Sequence, residues 1–340
     1  MNGELMAAEM AEQPAVLRHL VERRELIAVR VRSILPEPLA GITLVARGSS
    51  DNAAIYGRYI LEIAARRPAG LTAPSIHTLY HAPVEMTGYL AIAISQSGET
   101  PEVATVLGRL RDQGARGLAI VNAAGSSLAG VADLTVDLDA GEEWAVPATK
   151  TLTATMACLA VVAGALGGVP WDDHDLTTLP RHVAGLLADP SCADRIAREL
   201  GDWDRILATG RGLLLVAALE TALKIRETSG MFAEGISPAD LQHGPIAAVT
   251  EGFPVLAFRS AQASASDVDE VTPALLRRGA RLLAVGPGSA PDCPLPAGVP
   301  DALLPILAVV RGQQVAAAIA RRRHLDPDHP AGLSKVTPTR

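Results

Sequence analysis

The chain has 340 residues, with 30 Lys and Arg against 37 Asp and Glu, a net charge of −7, and 49% apolar but only 3% aromatic residues. So apolar a chain buries enough surface to offset the conformational entropy of folding, which excludes extended disorder; its length fits two domains or one large α/β unit. The acidic balance, without Lys and Arg clustered on the scale that phosphate neutralisation demands, excludes DNA and RNA as main partners.

In chain order, residues 1–35 read as an N-terminal helical segment. Its start mixes Glu4, Glu9 and Glu12 with Ala and Met and lacks the basic opening and apolar core of a signal peptide, so a cytoplasmic location is expected. Short β-branched or apolar runs then alternate with helix-length segments, the pattern of parallel βαβ units. Ile42 to Ala46 is a predicted strand, Arg47-Gly48-Ser49-Ser50 a turn, and Asp51 to Ala65 a helix. Tyr89 to Ile94 is a second buried strand, followed by the turn Ser95 to Thr100 and a helix from Pro101 to Gln113. Leu118 to Val121 and Leu134 to Val136 supply further strands, and Thr149 to Leu166 a long apolar helix. The charge-free run from Thr151 to Trp171 could be mistaken for a membrane span. Gly167, Gly168 and Pro170 break it and Lys150, Asp172 and Asp173 flank it, so it reads as a buried helix and no membrane partner is expected.

Beyond a polar connection the first pattern recurs. Arg205 to Ala208 is a strand, Gly210-Arg211-Gly212 a turn and Leu213 to Thr228 a helix; Pro254 to Phe258 and Arg281 to Val285 continue the sheet, and Leu303 to Arg323 is the last helix. The turns at Gly48 and Gly210 lie close to half a chain length apart, so the economical reading is a tandem pair of α/β halves. The first spans 36–180 and the second 190–324, each a doubly wound parallel sheet flanked by helices, and 325–340 is an irregular C-terminal tail. Cys158, Cys192 and Cys293 are odd in number, far apart and in no CxxC or Cys/His ligand pattern; neither a disulfide framework nor a metal site is expected.

Ser95-Gln96-Ser97-Gly98-Glu99-Thr100-Pro101 stands where an apolar strand hands over to a helix, and open α/β sheets bind ligands at the carboxyl ends of their strands. Hydroxyls, an amide and the N–H groups of a helix N-terminus make a cradle for a phosphate dianion. Helix capping alone is the blander alternative, although it needs one hydroxyl where three converge. Gly48-Ser49-Ser50 repeats the chemistry at the first strand's end, without the glycine spacing of a dinucleotide site or the Gly-Lys of a nucleotide P-loop, so a cofactor is not implied. In the second half Glu220, Lys224 and Glu227 share one helical face. Either they form a solvent-facing salt-bridge stripe or, on a helix apolar on its other sides, a buried set containing a candidate proton carrier. Ser237-Pro238-Ala239-Asp240 opens a capped helix that stops at Gly244-Pro245 and leaves His243 at its C-terminus, a position that suits a structural histidine as well as a functional one.

Taken together, Ser95 to Thr100, Leu219-Glu220-x-Ala222-Leu223-Lys224-x-x-Glu227 and Leu241-x-His243-Gly244-Pro245 resemble the sugar isomerase (SIS) family, with Val146-x-Ala148-Thr149-Lys150 and Leu333-Ser334-Lys335 in keeping. The likeness, from about Thr43 to Lys335, is to the isomerase half of glutamine–fructose-6-phosphate aminotransferase and, through the tail Asp326 to Thr337, to stand-alone SIS-type glucosamine-6-phosphate deaminases. Asn2 stands where the aminotransferase has its glutaminase cysteine, so glutamine is not expected as nitrogen donor, and Ala148 replaces a serine that touches substrate. The resemblance implies a deaminase that binds a sugar phosphate through Gly48, Ser49, Ser50, Ser95, Gln96, Ser97 and Thr100, with Val146 and Ala148 lining the site. It implies ring opening by His243, in a homodimer whose interface can carry that histidine to the neighbouring site. It further implies proton transfer by Glu227, oxyanion stabilisation by Lys224 and Lys335, and no cofactor or metal. Another SIS isomerase, a deaminase of a different amino sugar phosphate or an Amadori-product deglycase would share these residues. A sugar-phosphate sensor is the alternative from another class, against which stands the lack of a basic helix-turn-helix before Leu39.

Overall fold

A computed structural model describes residues 3–261, 265–288 and 291–335. The chain divides into two compact units, here the first lobe (Ala15–Glu143, Lys150–Asp172 and Ser334–Arg340) and the second lobe (Met1–Pro14, Trp144–Thr149 and Asp173–Leu333).

The first lobe is built on five parallel strands, β1 (Gly41–Val45), β2 (Ala69–Leu71), β3 (Tyr89–Ser95), β4 (Arg116–Val121) and β5 (Leu134–Asp137), in the order β2-β1-β3-β4-β5. Register pairs Ile42 with Leu90 and Ile92 with Leu118, so β1, β3 and β4 are central, and all are buried apart from the first residues of β3 and β4, Tyr89 and Arg116. Strands covered on both faces need continuous apolar runs, which is why Ile-Thr-Leu-Val and Leu-Ala-Ile-Ala-Ile were readable without alternation. On one face the helix Ser49–Ala65 meets the helix Lys150–Leu166. Gly57 sits so close to Leu44 and Leu159 that a Cβ would lie 3.0 and 3.1 Å from their side chains. Lys150–Leu166, the charge-free run of the sequence, is buried almost throughout. It ends at Gly167, whose Cβ would fall 2.1 Å from the Ala64 carbonyl oxygen. On the other face Val103, Val106, Leu107 and Leu110 of the helix Pro101–Asp112 pack on Ala91, Ala93, Ala119 and Val121.

The second lobe repeats the plan with β6 (Arg205–Gly210), β7 (Phe232–Ile236), β8 (Pro254–Phe258), β9 (Arg281–Gly286) and β10 (Cys293–Pro294), all parallel, in the order β10-β9-β8-β6-β7. Read from β7, this is the same winding as the first sheet, and the tandem repeat expected from the sequence is present in topology. In each sheet the winding reverses at one place, between β1 and β3 and between β6 and β8, and ligand crevices form at such reversals. Gly235 of β7 lies against the helix Leu215–Ser229, where a Cβ would be 2.6 Å from the Leu219 Cα, and Gly312 lets the helix Leu304–Arg322 close on Thr221 of the same helix.

The cysteines differ from the sequence expectation of no disulfide. Cys192 and Cys293 form a disulfide, with a Cα–Cα distance of 5.1 Å, because the fold brings β10 beside the helix Ser191–Leu200 despite 101 residues of sequence separation. Cys158 is buried with its thiol pushed up to about 12 by desolvation. The short edge strands β2, β7 and β10 were not read from the sequence, and no described helix is long and apolar enough to cross a membrane. The described tail, 325–335, carries neither helix nor strand; residues 336–340 of the expected tail lie outside the described residues.

Candidate functional site

Ser95 ends β3, nine-tenths or more buried, and its Oγ accepts the Gly98 N–H at 3.1 Å and meets the Thr100 Oγ1 at 3.2 Å. Ser97 Oγ accepts the Glu99 N–H at 3.2 Å. The tight turn needs Gly98, whose φ is +67° and whose Cβ would fall 2.0 Å from the Ser126 Oγ. Thr100, the N-cap residue of the helix that follows β3, gives that helix no side-chain cap, so simple capping does not account for the turn. The turn after β1 places Ser49 and Ser50 in the first turn of the helix Ser49–Ala65. Two helix N-termini with hydroxyls beside them, after neighbouring strands at a winding reversal, make an arrangement suited to an anion.

Sequence reading missed Arg47. Its Nε donates to the buried Glu102 Oε2 at 2.8 Å, tying the turn after β1 to the first turn of the helix after β3. The bond to Glu102 raises the guanidinium above its ordinary pKa against opposing desolvation. Asp51, in the same helical turn as Ser49 and Ser50, is raised by burial, with Arg47 working the other way.

In the second lobe the stripe of three ionic groups is a buried cluster. Lys224 and Glu220 are each 1% exposed and 3.3 Å apart between Nζ and Oε1, and Lys224 Nζ also donates to Glu227 Oε2; the Glu227 side chain retains 21% exposure. Desolvation pushes the Lys224 ammonium down, but the two carboxylates outweigh it and its pKa stands above the ordinary lysine value. Glu220, noted in the sequence only as part of the stripe, is the group that balances the buried lysine.

The other predicted residues fall elsewhere. His243 follows the helix Pro238–Gln242, which Ser237 caps by accepting the Asp240 N–H at 3.1 Å; the histidine is exposed, and its ring makes no hydrogen bond with the described residues. Val146 and Ala148 are half-buried between buried Ala145, Pro147 and Thr149, and the Val146 N–H bonds the Asp328 carbonyl at 3.0 Å. Lys335 belongs to the first lobe, where its Nζ contacts Glu143 Oε2 at 2.8 Å. Glu143, which sequence reading did not single out, has a fully buried side chain that also accepts the Thr151 N–H at 3.2 Å and its hydroxyl at 2.7 Å at the start of the helix Lys150–Leu166. An acidic residue three positions before Val146 was the one available signal.

A family model described as "SIS domain" matches residues 41–165 and 199–286, which include both winding reversals and the Glu220–Lys224–Glu227 helix. This chain belongs to the SIS family. The glutamine–fructose-6-phosphate aminotransferase (isomerizing) of Gloeobacter violaceus is 34% identical over 97% of the chain, and the chain spans 58% of that protein's length. The C-terminal domain of glucosamine-fructose-6-phosphate aminotransferase from Francisella tularensis superposes with a TM-score of 0.83 at 24% identity, covering 96% of this chain and 98% of that one. Glucosamine-6-phosphate deaminase from Thermotoga maritima superposes with a TM-score of 0.81 at 22% identity, covering 99% and 100%. The two structural likenesses establish the shared SIS fold.

Proposed function

We propose that this SIS protein is a glucosamine-6-phosphate deaminase, converting glucosamine 6-phosphate and water to fructose 6-phosphate and ammonia. The phosphate is held by Ser50, Ser95, Gln96, Ser97 and Thr100, with Gly48 and Ser49 shaping the turn, so that binding energy at one end positions the reacting carbons at the other. Val146 and Ala148 line the sugar. His243 moves a proton between the ring oxygen and O1 as the ring opens. Glu227 takes the C2 proton and returns it to C1 while O1 gains a proton and the amine nitrogen gives one up, leaving a ketimine at C2; water adds to that carbon and ammonia departs. The observation that carries the reading is the buried Glu220–Lys224–Glu227 set, in which Glu227 alone of the three keeps partial access to solvent. Lys224, the expected oxyanion partner, is paired with both Glu220 and Glu227, so it also keeps the Glu227 carboxylate in place. Lys335 serves an oxyanion after leaving Glu143.

Two relatives, a glutamine–fructose-6-phosphate aminotransferase and a glucosamine-6-phosphate deaminase, support this substrate class. A homodimer supplies His243 to a neighbouring site. Support for it is the exposed imidazole, without a hydrogen bond among the described residues, two positions before Pro245, which with exposed Ala248 and Phe232 lines one apolar surface of the kind partners cover. A dianionic substrate does not cross a bilayer unaided, which supports a cytoplasmic enzyme; the reducing conditions there would keep Cys192 and Cys293 largely as thiols. Ammonia release across glucosamine 6-phosphate, galactosamine 6-phosphate and a phosphorylated Amadori product tests the assignment. Release from the first is expected to dominate; sugar interconversion without ammonia would assign the site to the ketose–aldose isomerases, and binding without turnover to a sensor.

A further inference from the structure

The helix Leu304–Arg322 ends in a basic run, Arg321-Arg322-Arg323-His324, which the net charge of −7 conceals. Its end is a Schellman arrangement, in which the Leu325 N–H bonds the Ala320 carbonyl at 3.0 Å and the His324 N–H the Arg321 carbonyl at 3.1 Å. His324 therefore occupies the left-handed position that glycine usually takes, and its φ is +57°. Arg321 is committed to Asp194 at 2.8 Å, and Arg323 donates to the Trp203 carbonyl at 3.4 Å. Neither the Arg322 nor the His324 side chain has a hydrogen-bond or ion-pair partner among the described residues. With Gly201 and Asp202, the side chains of Arg322, Arg323 and His324 line a depression of about 560 Å³.

The negative end of a helix dipole explains a basic residue or two in a last turn. It does not explain a side chain kept at a glycine position, nor a concavity lined by three basic groups. We infer that this depression binds a small phosphorylated polyol. Guanidinium groups meet phosphate oxygens in a two-pronged geometry, and His324 supplies a third donor. The single carboxylate, Asp202, accepts from a ligand hydroxyl and would repel a bare polyanion. The volume lies within the range of about 300–1,000 Å³ usual for small-molecule sites. All five residues belong to the second lobe and none is among those proposed to hold the substrate phosphate, so the inference stands apart from the deaminase reading.

Titration calorimetry of the full chain with glycerol 3-phosphate tests it. The Arg322→Ala/Arg323→Ala variant is expected to lose one class of site, with at least tenfold weaker binding, while turnover of glucosamine 6-phosphate is unchanged. The Ser97→Ala/Thr100→Ala variant keeps that class and loses any contributed by the first lobe. His324→Gly should raise Tm without ligand, since it relieves the backbone, and still weaken binding, which a folding defect would not do. Wild-type affinity in both the double-arginine variant and His324→Gly, no binding that the double-arginine change removes, or sulfate binding as tightly as glycerol 3-phosphate would overturn the inference.

Discussion

In the first lobe the turns on either side of the winding reversal hold hydroxyls and backbone donors: Gly48-Ser49-Ser50 after β1, and Ser95 to Thr100 at the end of β3. In the second lobe the equivalent turns read Arg211-Gly212 after β6 and Arg259-Ser260 after β8, and the buried ionisable groups stand on the following helix, at Glu220, Lys224 and Glu227. One winding thus carries two chemistries. Topology decides where loops gather, and the side chains placed there decide whether a region recognises a charge or moves one. The two regions also differ in what they contribute to stability. A hydroxyl in a partly open turn can be removed without leaving a buried charge, whereas each member of the ionic cluster compensates another that water cannot reach.

Mutations separate the regions along that line. The largest effect falls on Glu227→Gln, expected to lower kcat by about 10²–10⁴-fold, the usual contribution of a positioned proton carrier, while substrate Kd changes only a few-fold; steady-state kinetics and calorimetry on one preparation check both. Lys224→Met breaks the buried cluster and should lower the unfolding free energy by about 3–5 kcal/mol in urea melts, with part restored by adding Glu220→Gln. The lysine also sets a pH dependence. Its folded pKa is raised, so its stabilisation is fully present below the ordinary value of 10.5 and is lost as pH climbs through the higher folded value; Lys224→Met should lack that alkaline loss. Cys192→Ser should cost about 2–4 kcal/mol, matched by reducing the wild type and absent when the variant is reduced. The smallest effect on the fold is expected from Thr100→Ala, with KM raised about tenfold and stability within about 0.5 kcal/mol of wild type, so that kinetics and melts move independently.

How much was legible follows the same physics. Central strands such as β1 and β3 are covered on both faces, so their residues had to be apolar and the runs announced themselves. Phe232-Ala-Glu-Gly-Ile236 did not, because β7 is an edge strand whose Phe232 and Glu234 remain exposed and whose Gly235 serves the approach of a helix. The hydroxyl turns could be read locally, since anion recognition at a helix N-terminus uses consecutive residues. The burial of Lys224 could be argued from its apolar helix, but its partners' geometry could not. Pairings that span the chain, Cys192 with Cys293 and Glu143 with Lys335, leave no local pattern; the lysine was found through family likeness and the glutamate not at all.

The proposed reaction requires one substrate to meet both the hydroxyl turn and the Glu227 carboxylate. A crystal structure of the Glu227→Gln protein soaked with glucosamine 6-phosphate tests it most directly. The expected result is a phosphate bonded by Ser95, Ser97 and Thr100, with C1 and C2 of the same molecule within about 3.5 Å of the substituted side chain at position 227. Phosphate bound away from that turn, or C1 and C2 remote from position 227 in every subunit, would contradict it.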